Sequence, residues 1–578
     1  MSVFKLPASV CDELTCMIRQ YWWGIENGKK KMAWMTWDKL RLPKPMGGMG
    51  FKDMRAFNQA LLAKQAWRLL DSPDSLCARL MKARYYPTGQ LLDTSFSGNG
   101  SSVWKGILHG LDLLKQGVIW RVGNGANIRT WRDPWIPRPS TFRPITPKGN
   151  CRLNRVADFI DENSAWRVDR LREFFWPMDV DYILKIRASP RNRDDFLSWY
   201  PEKSGLFSVR SAYKLATCDH NITFANGSSS TNPAGDRVIW NCIWAANVPQ
   251  KMKINAWRVA TGTLATQQCK NRRHLATRSL CPLCGVEEES TFHALVACTH
   301  ARTLWINMRR RWPLPEDGVL VDNGQEWLMS LLSVCSKAVA NMVILLIWRI
   351  WQVRNDIYHG KEAPPMLASV EFLDSYYKSI NLAGKFTVEE IAKGKMPSAA
   401  PVAPRQKGVA TALPWPAPPR GPVALSVNGS FQAEDGSAAV GMTLRNHEGV
   451  ILFAAYRYVF HCNDPLEVEL HAMMQGMALA IEHSEAPVVL QSDSSEALSC
   501  LATDALQRSA YGQLVMEIKH LSGIREFVPQ KLSRVQNRVA DRLANYSHTE
   551  RATAVWLGSI PPCIEDVWPL DCNSINLQ

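Results

Sequence analysis

VALSVNGSF (423–431) is the stretch whose reading decides the fold. An apolar, β-branched run ends in Asn-Gly-Ser, so it reads as a strand that delivers Asn428 at its end. Three later segments fall into line with it: LEVELHAMMQGMALA (466–480) with Glu469, VVLQSDSSEALSCL (488–501) with Asp493, and SRVQNRVADRLANYS (533–547) with Asp541. One amide and three carboxylates thus lie on a strand, a helix, a strand and a helix.

The surrounding pattern extends this. PVALSVNGSF (422–431), GSAAVGMTLRN (436–446) and GVILFAAYRYV (449–459) read as three meandering strands, the last two joined by an NHEG turn. A helix over 465–484, a strand over 487–493, a helix over 495–506, a strand over 523–530 and a closing helix over 537–547 complete a five-stranded mixed sheet with flanking helices. Carboxylates at these points can converge on one sheet edge, as two-metal phosphodiester cleavage requires. Each acid alone is more often a solvated charge or a cap, and the ordered set is far more specific. An amide oxygen in the first position is a neutral and weaker ligand than a carboxylate, and it bridges two dications poorly. Glu434 and Asp435 lie beyond the strand end, where they are expected to face solvent.

A chain of 578 residues holds several cores. Its net charge of +15 is uneven: residues 1–135 carry 20 Lys+Arg against 10 Asp+Glu, whereas residues 423–547 carry 9 against 14. A basic body beside an acidic patch suits a protein that holds phosphate backbones in one place and cations in another, and it also suits a merely solvated surface. The 23 Trp read first as core anchors and second as base-stacking platforms. No signal peptide is evident at the start, so the 15 Cys are expected to be reduced in a nuclear or cytoplasmic setting rather than a secreted one. AVANMVILLIW (338–348) is too short to span a bilayer and reads as a buried helix.

Before the acidic segment the chain reads as mostly helical over 1–135, with periodic stretches at 11–24 and 53–86 around a Pro/Gly loop at 40–51. Mixed β/α character fills 136–217. GVIWRVGNGANIRTWRDPWIP (117–137) suggests a hairpin, and DFLSWYPEKSGLFSVRSAYKLA (195–216) a strand running into a helix. Residues 218–236 read as a flexible loop, 237–312 as a compact helical module, 313–392 as helical, 393–422 as a Pro/Ala-rich linker and 549–578 as a tail.

Within the compact module, CPLCGVEEESTFHALVACTH (281–300) offers Cys281, Cys284, His293 and Cys298. Two thiolates two residues apart on a turn, followed by His and Cys on a helix, can surround one Zn²⁺ as a closed structural site. His300 could replace His293 or Cys298. The bland alternative is a hairpin with two buried thiols and a surface histidine.

These residues resemble the C-terminal portion of plant LINE-type (non-LTR) retrotransposon proteins. Segment 423–548 is similar to their RNase H-like domain, whose first motif normally reads V-D-G-[SA]-F, so Asn428 stands where an aspartate belongs. Glu469, Asp493 and Asp541 match the other positions, and the closing frame survives as Arg534, Asn537, Ala540 and Asp541, although PQKLS (529–533) occupies the place of the family's histidine. The cysteine cluster, with GLFSVRSAYKL (205–215) and VPQKMKINAWRV (248–259), resembles the reverse-transcriptase zinc-binding domain, and residues 1–24 resemble the stretch after the polymerase domain. No aromatic-x-Asp-Asp polymerase motif is present. The resemblance implies a multidomain α+β chain ending in an RNase H-like fold, with Mg²⁺ or Mn²⁺ at Glu469, Asp493 and Asp541, structural Zn²⁺, and RNA–DNA hybrid or RNA as partner. It implies ribonuclease H activity weakened by Asn428. A non-catalytic nucleic-acid-binding protein and an inactive genomic relic are the alternatives.

Overall fold

The computed structural model describes residues 1–26, 29–94, 100–138, 141–187, 191–217, 240–383, 415–459 and 461–569. Expectations for the 218–236 loop and for most of the 393–422 linker fall outside these residues.

The C-terminal domain is built on a mixed sheet. Strands β1 (Val423–Phe431), β2 (Ala438–Arg445) and β3 (Ile451–Val459) form an antiparallel meander. β4 (Val488–Ser492) pairs parallel to β1, and β5 (Phe527–Lys531) pairs parallel to β4. Both parallel pairings are reached through helices, α1 (Pro465–His483) before β4 and then α2 (Ser495–Ala502) and α3 (Gly512–Ile524) before β5, as parallel strands require. Helix α4 (Arg538–Glu550) closes the domain. This is the RNase H-like arrangement implied by the sequence, with additions. β6 (Ala554–Leu557) pairs antiparallel with β3 and makes the sheet order β6-β3-β2-β1-β4-β5, so part of the expected tail is an edge strand. Helix α3 takes up Gly523 and Ile524, so β5 starts later than expected. Strand β1 ends at Phe431, as the 422–431 stretch predicts, so Asn428 lies inside the strand rather than at its end.

Alternation along β1 assigns its two faces. Leu425 and Val427 enter the large core with Met442, Phe453, Val468, Met473 and Leu490. Asn428 belongs to the opposite set and faces α4. Gly441 is the register partner of Asn428 on β2. A Cβ at Gly441 would stand 2.3 Å from the Ala540 carbonyl oxygen and 2.5 Å from the Ala544 nitrogen, so α4 rests directly on the strand backbone there. On the other face a Cβ at Gly429 would lie 2.7 Å from Val468 and 3.2 Å from the Glu469 nitrogen. Two missing side chains therefore bring both carboxylate-bearing helices down onto the sheet.

Residues 58–216 belong to the same compact unit as this domain, while residues 6–57 group with 217–402. The sequence-defined region 1–135 is thus divided between the two units. In the second unit, the Trp257 indole donates to the Gly47 carbonyl at 2.8 Å, and the Trp22 and Trp257 rings meet edge to face at 6.5 Å. The helix Lys337–Tyr358 buries its 342–347 run completely or nearly so, and no helix among the described residues is long and apolar enough to cross a membrane. Near its end Arg354, almost fully buried, makes two bonds of 2.6 and 2.5 Å to Glu289. Tryptophans behave as core anchors: Trp135, Trp199, Trp257, Trp305 and Trp327 are among the largest fully buried side chains.

The expected 117–137 hairpin does not form. Val118–Arg121 pairs instead with the distant Phe196–Trp199. The carboxylate of Asp195, which stands beside that partner strand, accepts from the backbone nitrogens of Gly123, Gly125 and Asn127 at 2.7, 2.9 and 2.8 Å, and so holds the Gly-Asn turn against it.

Replacing Gly441 with Ala tests the helix–sheet contact. A glycine inside a strand normally gains stability on this change. Here the added methyl pushes α4 off β2, and a loss of about 1–3 kcal/mol is expected in denaturant or thermal unfolding. A stabilised Gly441→Ala protein would refute the close-contact account.

Candidate active site and metal cluster

Asn428, Glu469, Asp493 and Asp541 all line one cleft of about 680 Å³, together with Ser430, Glu496, Lys531, Arg534 and Asn545. The sheet edge gathers the four expected residues, but their bonding departs from an open carboxylate cage. The Asn428 amide donates to Asp541 Oδ1 at 2.8 Å. Asn545, one helical turn beyond Asp541, donates to Asp541 Oδ2 at 3.0 Å. Both oxygens of that carboxylate are therefore held by amides. Asp493 faces Arg534 at 3.4 Å, a loose pair because the arginine side chain is almost wholly exposed.

Glu469 differs from the others. Its Oε1 accepts from the Gly429 nitrogen at 3.3 Å, whereas Oε2 is buried with no hydrogen-bond partner. Burial, reinforced by the neighbouring Asp493, pushes this carboxyl up to about 8. Asp541 is also raised, by partial burial against the lowering effect of Asn428, with Asp493 adding to the rise. A buried, unpartnered carboxylate oxygen beside a second acid is a group that a divalent cation would satisfy. The Asn428–Asp541–Asn545 side of the cleft is already satisfied by donors.

The closing frame is legible as mechanics. Asn537, 1 % exposed, donates to the Val427 carbonyl at 2.9 Å and pins the start of α4 to β1. Ala540 supplies the backbone that meets Gly441, and Asp541 then faces Asn428. Sequence reading passed over Asn545 and His548. Their spacing from Asp541, four and seven residues along a helix, is the signal that could have found them. His548 joins the Ser430 and Ser437 hydroxyls, each at 2.8 Å. Glu434 and Asp435 are exposed, as expected, and Asp435 accepts from the Ser437 backbone and hydroxyl.

In the other unit Cys281, Cys284, His293 and Cys298 place their ligand atoms within 4.8 Å of one another, and His300 is not in the group. Cys281 and Cys298 sulfurs lie 3.8 Å apart, and Cys284 Sγ lies 3.4 Å from His293 Nε2. A tetrahedron with metal–sulfur bonds of about 2.3 Å has an edge of about 3.8 Å, so the set fits a closed Zn²⁺ site. Gly285 takes a φ of +70° after the second cysteine. His293 Nδ1 bonds to Glu287 at 2.7 Å, which orients Nε2 toward the sulfurs. The contact between the two sulfurs lowers the Cys298 thiol and raises that of Cys281.

The family described as "zinc-binding in reverse transcriptase" matches residues 207–305, and the family described as "Reverse transcriptase-like" matches residues 426–547. An Arabidopsis thaliana protein carrying the name "Putative ribonuclease H protein" is 27 % identical over 569 residues, which is 95 % of this chain and 86 % of that protein. An uncharacterized mitochondrial protein of the same plant is 36 % identical over 146 residues, 25 % of this chain and 95 % of its own length. Among solved structures, RNase H1 from the archaeon Halobacterium salinarum aligns at 21 % identity over 23 % of this chain and 100 % of its own, with a TM-score of 0.21. LC11-RNase H1 in complex with RNA/DNA hybrid aligns at 17 % identity over 22 % and 98 %, with a TM-score of 0.20.

The raised Glu469 sets a pH dependence. Between its ordinary 4.5 and about 8 the folded chain holds a proton that the unfolded chain has lost. Stability therefore falls as pH rises through that window, with a slope of up to about 1.4 kcal/mol per pH interval of one. Melts of wild type and Glu469→Gln from pH 5 to 8.5 should diverge, the variant gaining relative stability toward high pH. Parallel curves would show that Glu469 ionises normally.

Proposed function

This chain belongs to the plant reverse-transcriptase-related family that joins a zinc-binding domain to a reverse transcriptase-like domain of RNase H fold, and from that premise we propose that it binds nucleic acid, with RNA–DNA hybrid as the preferred ligand of its carboxylate cleft. We further propose that Glu469, Asp493 and Asp541 would hold Mg²⁺ or Mn²⁺ and that the RNA strand is cut only weakly. The non-LTR retrotransposon origin and a structural Zn²⁺ at Cys281, Cys284, His293 and Cys298 belong to the same proposal.

The observation that carries it is the Asn428–Asp541 hydrogen bond. Glu469, Asp493 and Asp541 would hold the divalent ions, which when bound would supply activation of the attacking water and charge neutralisation at the leaving oxygen. The chain's own residues must gather that charge. Asn428 contributes none, and its amide donor occupies the oxygen of Asp541 that a shared cation would need. Removing one such electrostatic group typically costs about 10²–10³ in turnover. Glu469 retains an unpartnered oxygen for a cation, so the site is weakened rather than erased. Lys531 and Arg534 line the same cleft and supply positive charge for a phosphate backbone.

A second reading, binding without cleavage, is favoured by the same hydrogen bond, because both Asp541 oxygens are satisfied without any cation. Cleavage of a labelled RNA–DNA hybrid by the full chain, in Mg²⁺ and in Mn²⁺, separates the two. Wild type is expected about 100-fold or more below Asn428→Asp, and Asp493→Asn is expected to be inactive. Hybrid binding that weakens with salt but is never followed by cleavage, even in Asn428→Asp, would establish the second reading. Metal content tests the other site: Cys284→Ser should lose one zinc per chain, and unchanged zinc would remove that assignment.

A further inference from the structure

On the far side of the same sheet, the loop after β3 and the start of α1 bring together Cys462, Glu467 and His471. All three are buried, and their ligand atoms lie within 4.8 Å of one another. Glu467 and His471 stand one turn apart on α1 and so share a face. Cys462 reaches them because its backbone nitrogen is fixed to the Gly436 carbonyl at 2.8 Å.

The histidine gives the cluster its meaning. His471 is 4 % exposed, and its Nε2 has no hydrogen-bond partner. Glu467 Oε1 is 4.0 Å away, beyond hydrogen-bond reach. Glu467 Oε2 is satisfied by the Asn463 backbone and amide at 2.7 and 2.8 Å, which leaves Oε1 turned toward the histidine. A buried imidazole nitrogen without a partner is costly. Thiol, carboxylate and imidazole are together a borderline-soft donor set that suits zinc.

A cation already answers to this geometry. The Arg187 guanidinium, from the 58–216 part of the same unit, places Nε 3.4 Å from Glu467 Oε1. Its Nη2 lies 3.7 Å from Cys462 Sγ and donates to the His461 carbonyl at 2.7 Å. The arginine side chain is 40 % exposed, so it has a path to withdraw toward solvent. It does not reach the orphaned His471 nitrogen with a hydrogen bond, so as an occupant of the site it is incomplete.

We propose that Cys462, Glu467 and His471 form a second metal site, for a zinc-class divalent ion, which exchanges with the Arg187 guanidinium. A tetrahedral ion needs its ligand atoms about 3.3–3.8 Å apart, so the three close in by about 1 Å as the arginine leaves. Three protein ligands leave a fourth position for water, and His471 also borders a cavity that Arg187 and Arg457 line. Because the ion and the arginine occupy one place, metal loading and the Arg187 contact exclude each other.

The test is zinc content and affinity of the full chain by chelator competition. His471→Gln and Cys462→Ser should each hold one zinc per chain fewer than wild type, whatever is bound at Cys281. Arg187→Ala should tighten this second zinc about tenfold, as removal of a competitor that fills the site nine-tenths of the time would do. Tightening cannot come from misfolding, so this variant guards against false losses in the other two. Equal zinc content in wild type, His471→Gln and Cys462→Ser, or an unchanged affinity in Arg187→Ala, would overturn the proposal.

Discussion

The C-terminal domain depends on a close approach between helix α4 and the sheet. That approach exists because position 441 has no Cβ, which lets the backbone of Ala540 and Ala544 settle on β2. The helix could slide along such a flat contact, and Asn537 prevents this by anchoring its first turn to the Val427 carbonyl. With height and register fixed, Asp541 meets Asn428 across the strand pair. Gly429 does the same service for α1 on the other face, bringing Glu469 to within a hydrogen bond of the strand backbone. The cleft is thus a product of backbone contact first and side-chain chemistry second.

This explains what the sequence made legible. The residues that set the approach are local and patterned: alternating apolar positions in VALSV, a helical period in LEVELHAMM, and the Asn, Ala and Asp of the closing frame. Reading them placed all four cleft residues together. The four members of the cysteine cluster were equally legible, because turn geometry and ligand spacing are both local. What escaped depends on distant partners. Val118–Arg121 alternates like half a hairpin, yet the Asp195 carboxylate, some 70 residues on, captures its turn and supplies the neighbouring strand. Helix α3 begins at a glycine without a side-chain cap, so no local signal marks its start. The division of residues 1–135 between two units follows from tertiary contacts such as Trp257 on Gly47, which no periodicity reveals.

The cysteine cluster and the carboxylate cleft differ in how far each is prepared in advance. At Cys281 the sulfur separations already match a tetrahedral edge, and Glu287 fixes the histidine's orientation, so a cation entering there reorganises little. In the carboxylate cleft preparation runs the other way. Asp541 has exchanged the ligands it would give a cation for two amide donors, and a cation arriving there must break those bonds before it gains any. An aspartate at 428 would instead repel Asp541, and that repulsion is what a shared dication relieves. On the proposed reading, an amide in place of an oxygen anion at 428 would change the site from one strained without metal to one relaxed without it.

The same change alters how the cleft meets a phosphate. A cage of ionised carboxylates repels a nucleic-acid backbone unless cations are present to screen it. Here burial raises the Glu469 carboxyl to about 8, Asp493 has Arg534 near it, and both oxygens of Asp541 accept from amides. Lys531 and Arg534 stand in the same wall. Each of these lessens the repulsion that a phosphate would meet, and the basic pair favours its approach. On the proposed reading, the amide that weakens the metal site also lessens the repulsion of a phosphate, so the two effects share one cause. On that reading, an RNase H-type scaffold that carries Asn428 would hold nucleic acid through Lys531 and Arg534 without depending on cleavage.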